Sequence, residues 1–220
     1  MPIGKSELAG IVDEYDRKAR GMTVSRLQQV ADADLDAMAT LIKIGPPTPR
    51  YRVGGYYGGG GPVGTLLLTE DQMVLGPIPI HQFCVIDAIG IDVTTAGTEG
   101  NLYTALYADR GDGYPGNLIH ASAALTVTAA FKETTGLAIE LPPGLYWGGA
   151  LCNQVTTTVA TVRSIASSSP YVGETAGAND INNAGYASTT TLTGAPPSNF
   201  NFAPLVVAAA PKLLLKVAAT

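Results

Sequence analysis

From about residue 65 onward, the chain alternates between short apolar runs and clusters of Gly, Pro, Asn and Asp. The runs recur roughly 8–15 residues apart, which is typical of short strands joined by turns. Within one run, Ile89, Ile91 and Val93 alternate with small or polar residues, as expected of a strand with one buried face. Eight or so such strands predict a mainly β fold, a jelly-roll-like two-sheet β-sandwich over residues 65–220.

The composition supports a folded chain and excludes some classes of function. Hydrophobic residues make up 46% of the sequence, enough for a core, and charged residues only 14%. The formal net charge is -5, and no cluster of Lys and Arg is present to neutralise a run of phosphates. We therefore expect no nucleic-acid partner.

A change in charge density near residue 50 divides the chain. Residues 1–50 contain 7 of the 13 basic and 7 of the 18 acidic residues, so their charges cancel. The remaining residues contain 6 basic and 11 acidic groups, which account for the whole net charge of -5. We predict a separate segment before the sandwich.

Residues 1–50 show the 3–4 residue periodicity of two short amphipathic helices. Ser25 followed by Gln28 resembles a capping box for the second helix. Because isolated helices this short are marginally stable in water, the apolar stripe needs a surface to cover it. We predict a helical anchoring or assembly segment whose contact residues are Leu27, Leu35, Met38 and Ile42.

Residues 51–64 are rich in glycine and are predicted to be a linker between the helical segment and the sandwich. A phosphate-binding loop is the alternative for such a run, but it requires a following Gly-Lys-Ser/Thr and a helix start. Neither follows here.

Little in the sequence indicates catalysis or a cofactor. There are only two histidines, and no nucleophile elbow or zinc-binding His-Glu-x-x-His is present. Cys84 and Cys152 are expected to be free buried thiols, although the sequence leaves a disulfide open. His81 is three residues from Cys84, but alternation places the two on opposite strand faces. We expect no enzyme activity, no cofactor and no membrane insertion.

Three pieces of the sequence carry a resemblance to a known class of proteins. They are LYTALYADRGDGYPGNLI at residues 102–119, LPPGLYWGGAL at residues 141–151, and KLLLKV at residues 212–217 after a Ser/Gly-rich stretch. Together they resemble the β-sandwich of bacteriophage virion surface proteins, of the kind found in tail fibres, minor tail proteins and head fibres. The resemblance covers residues 65–217.

The resemblance implies a structural protein on the virion surface that assembles as a homotrimer. Residues 1–50 would attach it to other virion proteins. The favoured placement is the tail, where the head domain would bind a host-surface glycan or protein, with the weakly patterned residues 167–201 as the expected contact. The alternatives are a capsid decoration protein or head fibre, and a carbohydrate-binding module.

Two groups of residues are candidates for binding. Asp109 and Asp112 lie in a dense turn and are weak calcium candidates, with turn capping as the alternative role. Aromatic side chains are candidates for a glycan-stacking platform, although packing is the commoner role of such residues: Tyr146, Trp147, Tyr171 and Tyr186. Tyr146 and Trp147 are adjacent in a predicted strand, so one is expected in the core and the other facing outward or at a subunit contact.

Overall fold

The structure is a computed structural model of the 220-residue chain. It describes residues 51–59, 63–153, 157–165, 171–172, 184–200 and 205–218. All of these belong to the second of two units into which the chain divides, Pro49–Thr220. The predicted helical segment, including Leu27, Leu35, Met38 and Ile42, lies outside the described residues.

The described part of the chain is mainly β, with fourteen strands and no helix. The strands form two sheets in which every strand pairing is antiparallel. This arrangement is consistent with the predicted β-sandwich. The strands are β1 (Tyr56–Gly58), β2 (Val63–Leu67), β3 (Gln72–Ile80), β4 (Cys84–Thr95), β5 (Asn101–Asp109), β6 (Pro115–Ala121), β7 (Leu125–Thr126), β8 (Ala130–Leu141), β9 (Gly144–Asn153), β10 (Thr161–Ile165), β11 (Gly185–Ser188), β12 (Leu205–Ala208), β13 (Ala210–Pro211) and β14 (Leu214–Val217).

The first sheet is built around β4, which is 12 residues long. Strand β8 pairs along one side of β4, and β14 and β10 pair with successive parts of the other side. Strand β1 extends the sheet beyond β14, and β2 extends it beyond β10. The short strand β13 also pairs with β10.

The second sheet has the order β12-β11-β3-β9-β5-β6, with β7 paired to the start of β5. Strands β3 and β9 pair over nine residues, from Gln72 opposite Cys152 to Ile80 opposite Gly144. The small residues of β9 allow close packing, since a Cβ at Gly149 would lie 2.3 Å from the Val74 carbonyl oxygen. Substitution there would force the two strands apart.

An apolar cluster to which both sheets contribute forms the main core. Ile89 and Ile91 of β4 are fully buried in this cluster, together with residues of β5 and β9. A second cluster lies on the opposite face of the second sheet, because neighbouring residues of a strand point to opposite faces. Leu106 belongs to the first cluster and Tyr107 to the second. The second sheet is therefore buried on both faces.

The second cluster is closed by residues 189–200, which we call the covering segment. The Leu192 backbone N–H donates a hydrogen bond to the Asp71 carbonyl oxygen at 2.8 Å. The Tyr107 hydroxyl donates to the Pro197 carbonyl oxygen at 3.0 Å, and Phe200 is buried in the cluster. These contacts attach the segment to the sheet at several points along its length.

The covering segment corrects one sequence-based expectation. The sequence of residues 167–201 predicts a long decorated loop with a short strand at Tyr186–Leu192, and within this range residues 171–172 and 184–200 are described. A short strand is present as β11, which ends at Ser188, before Leu192, and lies inside the sheet between β3 and β12. The residues that follow it pack on the sheet as the covering segment, because Leu192 and Phe200 have an apolar face to cover.

The linker prediction is also wrong for its described residues. Residues 56–58 form β1, which pairs with β14, and the Gly54 N–H donates to the Val217 carbonyl oxygen at 2.8 Å. Tyr57 and Tyr51 pack against the main core, with ring centroids 4.6 Å apart. The sandwich therefore begins before residue 65. The high glycine content of residues 51–64 predicts a linker and gives no indication that these tyrosines are packed.

The pair Gly76-Pro77 predicts a break between two short strands, but β3 continues through both residues. On the side of β3 away from β9, strand β11 pairs with Val74 and Leu75. Among the described residues no strand pairs with that side of β3 beyond Leu75, and proline is tolerated where no ladder donor is needed.

Candidate functional site

Two of the three sequence pieces that carry the resemblance, residues 102–119 and 141–151, meet at the turn between β5 and β6. We call this turn, residues 109–116, the hairpin end. Asp109 organises this turn: its Oδ2 accepts hydrogen bonds from the backbone N–H groups of Gly111 at 2.7 Å and Gly113 at 3.4 Å. Both glycines have positive φ, +97° and +80°, a conformation that glycine adopts without strain. Its Oδ1 accepts a hydrogen bond from the Trp147 indole Nε1 at 2.8 Å. Asp109 thus joins the turn to β9.

An aromatic stack runs from the second cluster to the surface at the hairpin end. The rings of Trp147 and Tyr186 have centroids 5.3 Å apart, and those of Tyr186 and Tyr114 are stacked at 5.0 Å. The Arg110 guanidinium lies 5.3 Å from the Tyr114 ring centroid. Burial and the neighbouring Tyr114 raise the pKa of Tyr186 to about 12, so its hydroxyl stays protonated near neutral pH.

The structure does not support the predicted glycan platform. Trp147 is 0% exposed, and Tyr146 and Tyr186 are also buried, whereas Tyr171 is 42% exposed. Tyr146 packs in the core between the sheets, and its hydroxyl donates to the Pro142 carbonyl oxygen at 2.9 Å. A sugar needs an exposed ring face to stack on, and the three buried rings offer none.

The expectation that one residue of the Tyr146–Trp147 pair faces outward is therefore wrong. Alternation does place them on opposite faces of β9, in the first and second clusters respectively. However, the covering segment turns the outer face into a second core. Sequence alternation identified the two faces but not the segment that covers one of them.

The two aspartates of the calcium candidate have protein partners. Both carboxylate oxygens of Asp109 accept the hydrogen bonds described above. Asp112 forms an ion pair with Arg110, whose hydrogen bonds lower the pKa of the Asp112 carboxyl group. In the part of the chain that the structure describes, no group of three or more His, Cys, Asp or Glu side chains could hold a metal ion. The geometry favours the turn-capping role.

The cysteines are buried free thiols, as expected. Cys84 and Cys152 both belong to the main core cluster, and no disulfide joins them. Burial raises the pKa of each thiol, which keeps it protonated and poorly nucleophilic. His81 is exposed while Cys84 is buried, so the predicted separation of this pair is confirmed.

The outward face of the first sheet, which we call the open face, carries large exposed apolar side chains. Phe131 of β8 lies over Gly90 of β4, where a Cβ would come within 2.3 Å of the phenyl ring. Tyr56 of β1 meets Phe131 edge-to-face, with centroids 5.5 Å apart and an interplanar angle of 89°. The Tyr56 hydroxyl donates to Glu133 Oε2 at 2.6 Å, and this bond raises the pKa of Tyr56 to about 12. Two aromatic rings thus lie across β4 and β14.

Strand β2 adds aliphatic residues to the open face. Leu66 packs against the core, so alternation directs its neighbours Thr65 and Leu67 outward, and Leu67 is 62% exposed. Two ion pairs also lie on this face. Arg163 Nε is 3.0 Å from Asp92 Oδ2, and Lys216 Nζ is 3.7 Å from Asp87 Oδ2.

The open face has no continuous sequence signature because its residues come from four separate strands. Phe131 is the second residue of β8 and is followed by the polar residues Lys132 to Thr135, so the apolar pattern alone predicts a strand only over Leu137–Leu141. One signal was present: Gly90 interrupts an otherwise apolar strand, which often marks a close approach of another group. That group is the Phe131 ring.

Comparisons with known proteins give no match from which a function could be inferred, so the hairpin end and the open face are the surfaces to consider. Neither the known protein-family models nor the curated protein sequences include a match to the chain. Within the described residues, no helix is long and apolar enough to cross a membrane.

Proposed function

We propose that this chain is a structural protein of a bacteriophage virion surface, a tail fibre or minor tail protein that assembles as a homotrimer. The observation that carries the proposal is the contact between the two motifs of the resemblance. The hairpin of residues 102–119 and the strand of residues 141–151 are neighbours, and the Asp109–Trp147 hydrogen bond joins them. The resembling residues therefore act together as one structural unit.

The strand order supports a jelly roll as the specific form of the sandwich. Eight strands form two four-stranded arrays, β1-β14-β4-β8 and β3-β9-β5-β6. Following these eight along the chain, every connection changes sheets except the β5–β6 hairpin. Repeated crossing between two antiparallel sheets is the pattern of a double-sheet jelly roll, an architecture common in viral surface domains.

In this proposal the described domain is the outward-facing head, and residues 1–50 attach it to other virion proteins. Contact with the host surface is assigned to the hairpin end, where the exposed Tyr114 ring lies beside Arg110 of the Arg110–Asp112 ion pair. The exposed Tyr171 is close to the same turn, since its carbonyl oxygen would lie 3.9 Å from a Cβ at Gly113. An exposed aromatic group with polar neighbours suits a mixed apolar and hydrogen-bonding contact with a glycan or a protein.

The test is electron microscopy of purified particles with gold-labelled antibodies raised against the full chain. Label at the tail tip supports the proposed tail protein. Label over the head replaces it with the alternative of a capsid decoration protein or head fibre. Particles that carry no label, prepared under conditions in which a known virion protein is labelled, overturn the virion assignment.

If label is found at the tail, binding of particles to host cells tests the hairpin end. The variant Tyr114→Ser removes the exposed ring, and Ile119→Ser removes an exposed side chain of β6 outside that turn. We expect weaker adsorption for Tyr114→Ser alone. Equal adsorption by both variants overturns the assignment of host contact to the hairpin end.

A further inference from the structure

We propose that the open face is the surface through which copies of this chain meet one another. This inference rests on the homotrimer of the proposed function and names the surface that forms it. Four properties of the open face bear on this contact: its apolar residues, its ring geometry, its charges and its area.

The apolar residues of the open face are spread across its full width. Phe131 lies on β8 at one side, Leu67 on β2 at the other, and Tyr56 and the half-buried Leu214 lie between or beside them. Several exposed large apolar residues on one sheet face indicate an interaction site, whereas single exposed apolar residues are ordinary. The corresponding face of the second sheet has the covering segment; among the described residues, none covers the open face in the same way.

The ring geometry favours a protein surface over a sugar as the occupant. Sugar stacking uses an exposed flat ring face, but Tyr56 and Phe131 meet at 89° and so do not form a common plane. The Tyr56 hydroxyl is already bonded to Glu133. Edge-to-face rings bordered by aliphatic side chains suit the packing of another apolar protein surface.

The charges favour another copy over a partner of strongly opposite charge. Asp92 with Arg163 and Asp87 with Lys216 are paired within one copy. A surface whose charges are already paired can approach another part of the same face on a second copy without strong repulsion, which self-association requires. Neither ion pair needs a counter-charge from the partner.

The size of the face sets the size of the contacts that it can form. Strands β4 and β8 have 12 residues each, whereas β14 with β10 and β1 with β2 contribute 9 and 8 residues to the next two columns. At about 3.4 Å per residue and a strand spacing of about 4.8 Å, the face has a planar area of about 670 Å². A cyclic trimer divides this area between two neighbours, so the assembly is held by three contacts that are each smaller than a standard interface of about 800 Å² per partner.

A threefold arrangement makes use of both sides of the face. Cyclic trimers form head-to-tail contacts, in which one part of a subunit meets a different part of the next. Phe131 and Leu67 lie on different lateral strands of the first sheet. We therefore place the β8 side of one copy against the β2 side of its neighbour.

The test is the mass of the purified full-length chain measured by light scattering after size-exclusion chromatography, over a tenfold range of concentration. The variants are Phe131→Lys and Leu67→Lys. Lysine is suited to exposed strand positions, and at position 131 it would lie opposite Asp92 in the ladder. The control is Val207→Lys, because Val207 is 47% exposed and Phe131 43%, but Val207 lies on edge strand β12 of the second sheet.

We expect the wild-type chain and Val207→Lys to have three times the 22.6 kDa monomer mass, and the two open-face variants to fall to the monomer mass. Circular dichroism of each variant verifies that the strands remain folded. A folded open-face variant that keeps the trimer mass, or a wild-type chain that is monomeric throughout the range, overturns the inference. Gold labelling of particles is a separate measurement, so failure here does not decide the virion assignment.

Discussion

The outward faces of the two sheets differ in solvent exposure: one is buried and the other is open. The second sheet presents Trp147, Tyr107 and Met73 on its outward side, and all three are fully buried in the second cluster, to which the covering segment contributes Phe200. The first sheet presents Phe131 and Tyr56, and both remain about two-fifths exposed. An apolar sheet face can therefore be covered by a segment of its own chain, or it can stay exposed and be available to another protein surface. The consequences for stability should differ accordingly.

The largest expected difference between the faces comes from removing one aromatic ring from each. Trp147→Ala should lower the free energy of unfolding by about 3–5 kcal/mol, because it leaves a cavity in a fully buried cluster. Phe131→Ala, made in the Leu67→Lys background to exclude subunit association, should cost about 1 kcal/mol or less because the ring is already half in water.

Urea unfolding followed by circular dichroism measures both changes, since Trp147 is the only tryptophan and its fluorescence is lost in the first variant. Equal losses for the two variants would contradict the proposed contrast between a covered and an open face.

A smaller difference is expected when a methyl group is added to one glycine on each sheet. A Cβ at Gly185 would lie 1.8 Å from the Leu75 carbonyl oxygen, and backbone cannot move aside cheaply. Gly185→Ala should therefore destabilise the domain by about 2–3 kcal/mol. At Gly90 the obstructing atoms belong to the Phe131 ring, whose exposed side is free to move outward.

Gly90→Ala should accordingly leave the free energy of unfolding within about 0.5 kcal/mol of the parent, again in the Leu67→Lys background. Thermal unfolding of the two variants compares them directly. A large loss for Gly90→Ala would show that the Phe131 ring is held firmly, and the open face would then be more rigid than its exposure indicates.

How far the sequence predicted this structure depends on whether each signal was local. Alternation along β4 and β5 and the turn residues at 109–116 are properties of neighbouring residues, and they predicted the strands and the hairpin. The pairing of Tyr56 with Lys216 joins residues far apart in the chain. No local pattern encodes such a pairing, so residues 56–58 were taken for a linker.

The candidate binding residues show the same limit. The sequence pattern predicts Trp147 as a candidate for glycan stacking and Asp109 as a weak calcium candidate, whereas the structure joins the two by a hydrogen bond. The sequence could not show that Phe200 and Leu192 return to cover the sheet, because burial depends on tertiary contacts. The open face has no local signature for a related reason: Phe131, Gly90 and Tyr56 become neighbours only after the four strands β1, β14, β4 and β8 pair.

The smallest expected effects concern the hairpin end, where Asp109 bonds to Trp147 of the second cluster and Asp112 is exposed to water. Asp109→Ala removes the acceptor of two turn N–H groups and of the Trp147 indole, so it should cost about 1–2 kcal/mol. Asp112→Ala removes an exposed ion pair with Arg110 and should leave the unfolding midpoint unchanged near neutral pH.

Trp147 fluorescence makes this comparison specific, because the emission maximum reports on the indole environment of a single residue. We expect a shift for Asp109→Ala and none for Asp112→Ala. The pKa of Asp112 is lowered in the folded chain, so any stabilisation from its ion pair is present above the pKa of the unfolded carboxyl group and is lost as the pH falls through the folded value. A shift in Trp147 emission on Asp112→Ala would mean that the exposed ion pair supports the core, and the separation between the covered cluster and the surface would have to be redrawn.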